Sequence, residues 1–177
     1  PSTVTTKDGW KLRIDTKFPY GESVGVRVLS AGASPLRLKV RTPAWAAAGA
    51  DGSTTTEYRD YGLLSAETAV QLELPLSLHV RRAQDRSGNF SVLYGPLVLA
   101  ADLGTAKMPA DIVDDQLVYM NSPAAPVPKI TADVNHPAQW VRAGEAPLTF
   151  VTDARAAQDA KTSFTLRPFF ATHHVRY

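Results

Sequence analysis

The stretch Phe90-Ser91-Val92-Leu93-Tyr94-Gly95-Pro96-Leu97-Val98-Leu99-Ala100-Ala101 decides the fold. Its first half alternates, so that Phe90, Val92 and Tyr94 share one face of an extended strand. Its second half is apolar without a break, the pattern expected of a strand covered on both sides. Gly95-Pro96 bends the chain between the two, because proline has no N–H to give to a central ladder. The centre of the core is expected here.

The period of two continues outward in both directions. Lys11-Leu12-Arg13-Ile14-Asp15 alternates polar and apolar, and residues 23–29 repeat the pattern with Val24, Val26 and Val28 on one face. Phe18-Pro19-Tyr20-Gly21 lies between them as a turn. Leu36-Arg37-Leu38-Lys39-Val40-Arg41 alternates and stops at Thr42-Pro43. Val70-Gln71-Leu72-Glu73-Leu74 is closed by Pro75, and Leu76, Leu78 and Val80 form a short face running into Arg81 and Arg82. Further strands are expected at 139–142, 148–152 and 164–166, with the chain from 164 to 177 reading as a strand that stops abruptly.

Helix signals are thin. Residues 44–50 are Ala-rich but end at Gly49 and Asp51-Gly52, enough for a turn or two. Residues 153–161 carry helix formers without an apolar stripe, which predicts an exposed short helix or loop. Residues 105–139 hold Pro109, Pro123, Pro126, Pro128 and Pro137, an irregular stretch draped over something else. The pattern predicts an all-β fold: an antiparallel, jelly-roll-like β-sandwich with long irregular proline-rich loops and little helix. Two parts are expected, a sandwich over 1–104 and, over 105–177, an irregular segment with closing strands packed on the same sandwich.

The chain has 177 residues, 44% of them hydrophobic, which suffices for a core and excludes wholesale disorder. Nineteen lysines and arginines face 17 aspartates and glutamates, too even a balance to point to nucleic acid or an anionic membrane. No window is apolar enough to span a bilayer. The absence of cysteine excludes disulfides, thiolate metal sites and a cysteine nucleophile within these residues. Pro1-Ser2-Thr3-Val4 shows no signal-peptide pattern, and both ends read as cut from a longer protein. The compartment is left undetermined, with a periplasmic or secreted bacterial parent as the working assumption.

Candidate chemistry is sparse. Gly32-Ala33-Ser34-Pro35 lacks the last glycine of a nucleophile elbow, and no phosphate-binding glycine loop occurs. The histidines are His79, His136, His173 and His174; the last two, adjacent on a strand, would face opposite sides, so no metal site is expected. Asp102, Asp114, Asp115 and Glu73 are carboxylates whose spacing sets no pair across a cleft, and solvated positions are the default. No catalytic residue and no cofactor is expected. Arg81-Arg82-Ala83-Gln84-Asp85-Arg86 reads as a solvated basic turn, and Asn89-Phe90-Ser91 is a formal glycosylation sequon. Sugar stacking would use exposed aromatics, and the candidate carbohydrate-binding residues are Trp10, Tyr58, Tyr61 and Trp140. Each tryptophan is weighed against core filling; Trp45, next to Thr42-Pro43, reads as a core plug at a strand end.

Several strings occur in a telling order: Thr16-Lys17-Phe18-Pro19-Tyr20, Leu36 through Arg41 with Thr42-Pro43-Ala44-Trp45-Ala46, Leu72-Glu73-Leu74-Pro75-Leu76, and Tyr94-Gly95-Pro96-Leu97-Val98-Leu99-Ala100. In this order they resemble the region after the catalytic barrel in glycoside hydrolase family 127, the DUF1680 group of β-L-arabinofuranosidase-like proteins. Leu166-Arg167-Pro168-Phe169-Phe170-Ala171-Thr172-His173-His174-Val175-Arg176-Tyr177 looks like that family's closing motif. Residues from about 101 to 148 resemble a DUF4986-type segment found in part of the family. The resemblance implies a parent whose α/α-barrel supplies a zinc-bound cysteine nucleophile and a glutamate acid/base. Neither is carried over, because this chain has no cysteine and no barrel helices. The hairpin from Tyr61-Gly62-Leu63-Leu64-Ser65 to Ala69-Val70 is shorter than the family's.

The resemblance therefore implies a non-catalytic accessory β-sandwich that braces the catalytic barrel of its own parent chain and can serve a homodimer. A carbohydrate-binding module using exposed aromatics, with a glycan as partner, is the alternative. A purely structural interaction surface is a third reading.

Overall fold

The computed structural model describes residues 1–46, 56–85, 87–106 and 127–172. Twelve strands lie among them and every pairing is antiparallel. Helix among the described residues is confined to three-residue 3-10 turns. The all-β, antiparallel expectation holds. The chain divides into two compact units, Pro1–Ser77 and Leu78–Tyr177.

In the first unit, β1 (Ser2–Thr5), β2 (Lys11–Thr16), β3 (Ser23–Ser30) and β6 (Ala69–Glu73) form one sheet in the order β1-β2-β3-β6. Its register sets Ile14 beside Val26 and Val26 beside Val70, cross-strand pairs of β-branched side chains that suit a pleated surface. β4 (Arg37–Thr42) and β5 (Glu57–Leu63) pair into a separate ribbon. Trp10, Val28 and Leu64 form a buried cluster, joined by Leu12 from the sheet and by Leu36 and Leu38 from the ribbon side. The alternation in 36–41 thus turns its leucines onto the sheet and its cations outward. Trp10 is 4% exposed, and its indole N–H donates to the Ser34 carbonyl at 2.7 Å. Gly32 passes so close that a Cβ there would collide with the Trp10 ring and the Asp8 carbonyl oxygen. Trp45 departs from expectation: it is only half-buried, tilted against Phe18 at 6.1 Å, and Trp10 takes the core position.

The second unit is one six-stranded sheet in the order β10-β11-β12-β9-β8-β7. Its strands are β7 (Leu78–Arg82), β8 (Phe90–Tyr94), β9 (Leu97–Ala101), β10 (Val141–Ala143), β11 (Phe150–Thr152) and β12 (Thr165–Pro168). Gly95-Pro96 is the two-residue turn of the β8–β9 hairpin, with Tyr94 opposite Leu97 and Gly95 at φ +55°. Because β9 pairs with β12, residues before and after 104 share this sheet.

The sheet curls into a half-barrel. The Tyr94 ring on β8 reaches the Phe150 ring on β11 at 4.9 Å, although β9 and β12 lie between them. Arg82 on edge strand β7 donates to Asn135 at 3.1 Å, just before the turn that leads into the opposite edge strand, β10. Inside sit Val92, Leu99, Trp140, Val141, Phe150 and Leu166, so the deciding stretch does supply the centre of this core. Trp140 meets Phe90 edge-on, and its N–H donates to the Asp133 carbonyl at 3.0 Å.

Three local expectations fail. The apolar run on β9 is covered on one face only among the described residues: Leu99 points inward while Val98 is 44% exposed. Residues 153–161 are not simply exposed, since Ala156 and Ala157 are buried. Backbone bonds from Thr131 N–H to the Ala156 carbonyl (2.8 Å) and from Gln158 N–H to the Lys129 carbonyl (2.9 Å) draw the segment in, and small side chains permit the approach. The closing strand ends at Pro168 and turns through Phe169–Ala171, a turn closed by Thr172 N–H on the Phe169 carbonyl.

Candidate functional site

The four aromatic candidates are not gathered into a strip. Trp10 and Trp140 are 4% and 6% exposed, each with its N–H bonded to a backbone carbonyl, and neither presents a ring face to solvent. They belong to different units. Tyr58 and Tyr61 both lie on β5, where odd spacing sets them on opposite faces. Tyr58 is 65% exposed and stands across from Arg41. Tyr61 is half-buried, with the Arg59 guanidinium 5.4 Å above its ring, a cation–π contact.

Several carboxylates have a local partner. Arg37 Nε donates to Asp60 at 2.7 Å. The Gly62 backbone N–H, then Arg37, hold the Asp60 carboxyl below the usual carboxylate range. His136 Nδ1 lies 2.6 Å from the Asp133 carboxylate, and that bond, followed by the Asn135 N–H, lowers the Asp133 pKa. Asp15 is lowered chiefly by its hydrogen bond from Arg13. In the basic turn, Asp85 is lowered by Ser87. Glu73 is exposed at the end of β6 and Asp102 is half-buried at the end of β9, so the two belong to different units. Among the described residues no three of His, Asp and Glu converge on a point where a metal could sit. His173, His174, Asp114, Asp115 and Arg86 lie outside the described residues.

Two features of the second unit carry more. The first is the outer face of the six-stranded sheet. Val92 and Leu99 point into the core, so their neighbours Leu93 and Val98, which pair across β8 and β9, point away from it. The β12–β9 ladder ends with Pro168 opposite Leu99, and the chain then turns through Phe169–Ala171. Phe169 and Phe170 are each 51% exposed. Leu93 and Val98 thus lie on the outer face, and two exposed phenylalanines stand in the turn that follows β12.

The second feature is an open cleft of about 600 Å³. One wall is the chain after β9, at Asp102 and Leu103; another is the segment 127–129; the third is the turn 157–164. The Asp159 carboxylate organises that turn. It accepts the N–H groups of Lys161 and Thr162 at 3.0 Å each and the Thr162 hydroxyl. These bonds, the Thr162 hydroxyl first, lower the Asp159 pKa. Ala160 between them sits at φ +52°, a backbone region that favours glycine.

Residues 79–177 match the family model DUF4986, described as a domain of unknown function. The chain belongs to the DUF4986 family. No curated protein matches it. The DUF4986 match begins one residue into β7 and runs to the end of the chain, so it follows the second compact unit closely. The half-barrel, the outer apolar face and the cleft are all features of the DUF4986 part. Of the cleft residues, sequence reasoning singled out only Asp102, and as a solvated carboxylate. The one local signal was Asp159-x-x-Thr162, an acidic side chain positioned to cap its own turn.

Proposed function

We propose that this chain is a non-catalytic accessory β-domain of a larger glycoside hydrolase, of the family 127 β-L-arabinofuranosidase-like kind. On this reading it docks against the catalytic barrel of its own parent protein, and the bond-breaking groups belong to that barrel. The observation that carries the proposal is the exposed apolar surface of the half-barrel, with Val98 beside Leu93 on the outer face and Phe169 and Phe170, each about half exposed, in the turn after β12. Single surface hydrophobes are ordinary, and on this reading these large ones together mark an interface. Covering two half-exposed phenylalanines and a valine contributes about 2–4 kcal/mol. The DUF4986 match supports the reading, as it overlaps the residues whose resemblance to the family 127 accessory segment is drawn from sequence order. That resemblance extends through the first unit, which the match does not reach.

The test is the coding sequence upstream of Pro1. The proposal expects an open reading frame there that encodes a helical barrel with cysteines and a glutamate, and an isolated chain that releases no arabinose from β-arabinofuranosides. A start codon immediately before Pro1, or release of arabinose by the isolated chain that is lost on replacing its own carboxylates, would overturn it.

A second reading, glycan binding through exposed aromatics, has Tyr58 in its favour: its ring is open beside Arg41 on the ribbon. Loss of binding in a glycan array on Tyr58→Ala would support it, and an array without hits would set it aside.

A further inference from the structure

We propose that the cleft beside the Asp159 turn binds a neutral saccharide of one or two sugar units. The inference stands apart from the docking reading, because none of the outer-face residues lines the cleft.

Size is the first argument. About 600 Å³ falls in the middle of the range that small-molecule sites occupy, and it leaves room for one or two pyranose or furanose rings. The second is the kind of surface. Leu103, Pro128 and the half-buried Phe164 give apolar wall, while Asp102, Gln158 and Ser163 bring polar side chains to the same space. A sugar has that same division, with C–H faces that prefer apolar contact and a rim of hydroxyls that each donate and accept. A carboxylate accepts, a primary amide does both, and a serine hydroxyl does both, so the lining can answer hydroxyls of either orientation.

Charge narrows the class. Two carboxylates, Asp102 and Asp159, face this space against one lysine, Lys129, so a phosphate or a uronic acid meets net repulsion. A divalent cation is not favoured either, since among the described residues no third ligand joins them.

The third argument is stiffness. Asp159 spends three acceptor positions on holding its own turn, and those bonds hold Ala160 in a backbone conformation that costs free energy. Gln158 N–H bonded to the Lys129 carbonyl at 2.9 Å ties that turn to the opposing wall. Two walls of the cleft are therefore fixed to each other before any ligand arrives, which reduces the ordering cost of binding.

The experiment is an amide-resolved NMR titration of the whole chain with arabinose, xylose, glucose and galactose and with neutral disaccharides. Saturating shifts confined to 102–104, 127–129 and 157–164 are expected, with dissociation constants of about 1–10 mM. Gln158→Ala and Ser163→Ala alter exposed side chains and leave the core intact, and each is expected to weaken binding by about three- to tenfold. Galacturonate, similar in size but anionic, is expected to bind more weakly than galactose. The proposal is overturned if no sugar gives saturating shifts at about 50 mM. It is also overturned if shifts map elsewhere, such as to Tyr58 alone, if both variants bind as the parent chain does, or if galacturonate binds more tightly. Replacing Phe169 or Phe170 should leave the titration unchanged, which separates failure of this site from failure of the docking surface.

Discussion

Replacing Trp140 by alanine removes the largest side chain from the core of the half-barrel. The indole is 6% exposed, meets Phe90 edge-on at 6.4 Å and donates its N–H to the Asp133 carbonyl at 3.0 Å. A tryptophan buries about 150–250 Å², which at about 25 cal/mol per Å² is about 4–6 kcal/mol. Residual burial in the unfolded chain trims that to about 3–5 kcal/mol, the range seen when large aromatics are cut to alanine. A unit of this size is stable by only about 5–15 kcal/mol, so the loss consumes much of its margin. With a urea slope of about 1–3 kcal/mol per M, the unfolding midpoint should drop by about 1–5 M. Trp140→Phe keeps an aromatic edge against Phe90 but loses the N–H bond, and should cost about 1–2 kcal/mol. The assay is urea unfolding followed by far-UV circular dichroism, with hydrogen exchange of residues 78–172 as the local readout. A midpoint shift below about 0.5 M for Trp140→Ala, or equal shifts for both variants, would refute this account of the core.

Further outcomes follow from the same coordinates. Gly32→Ala should lower the melting temperature of the first unit, because its Cβ has no room between the Trp10 ring and the Asp8 carbonyl; overpacking of this kind costs about 1–3 kcal/mol, and an unchanged melt would disprove the close approach. The Asp60 carboxyl should titrate below 3.8 by NMR. Its folded pKa is depressed, so its contribution to stability is full above the ordinary carboxylate value and fades as pH falls through the lower folded value; Arg37→Met, which removes the guanidinium bond that is its second cause, should move the titration part of the way back up. Val98→Thr and Phe169→Ser should leave thermal stability nearly unchanged yet reduce binding of an apolar dye to the isolated chain, since both side chains are about half exposed.

Much of the β architecture was legible because alternation is a local signal. Leu12, Ile14, Val24, Val26 and Val28 announce β2 and β3 without any knowledge of their partners, and Gly95-Pro96 announces the turn between β8 and β9. Two strands escaped. β1 is exposed along its whole length, so its Thr and Val side chains carry β propensity but no two-faced pattern. In β5 the residues Glu57, Arg59 and Asp60 are charged on both faces, which hides the alternation around Tyr58 and Tyr61. Composition also misled where backbone bonding decided the outcome: Ala156 and Ala157 carry too little apolar surface to read as core, yet the bonds to Thr131 and from Gln158 bury them. The cleft was invisible because its walls come from three separated segments, and only the fold brings Asp102, Lys129 and Phe164 to one space. The aromatic candidates show a limit of another kind. A tryptophan reads alike in sequence whether it fills a core or offers a ring to a sugar, and Trp10 and Trp140 fill cores.

The central claim is that the exposed apolar surface of the half-barrel, Phe169 and Phe170 included, is covered when the chain is part of the whole protein proposed above. Hydroxyl-radical footprinting of the isolated chain and of that whole protein, read by mass spectrometry at Phe169 and Phe170, addresses it directly. The account predicts that both rings label readily in the isolated chain and that their labelling falls several-fold in the whole protein, while Tyr58 changes little. Equal labelling of the two phenylalanines in both forms would contradict it.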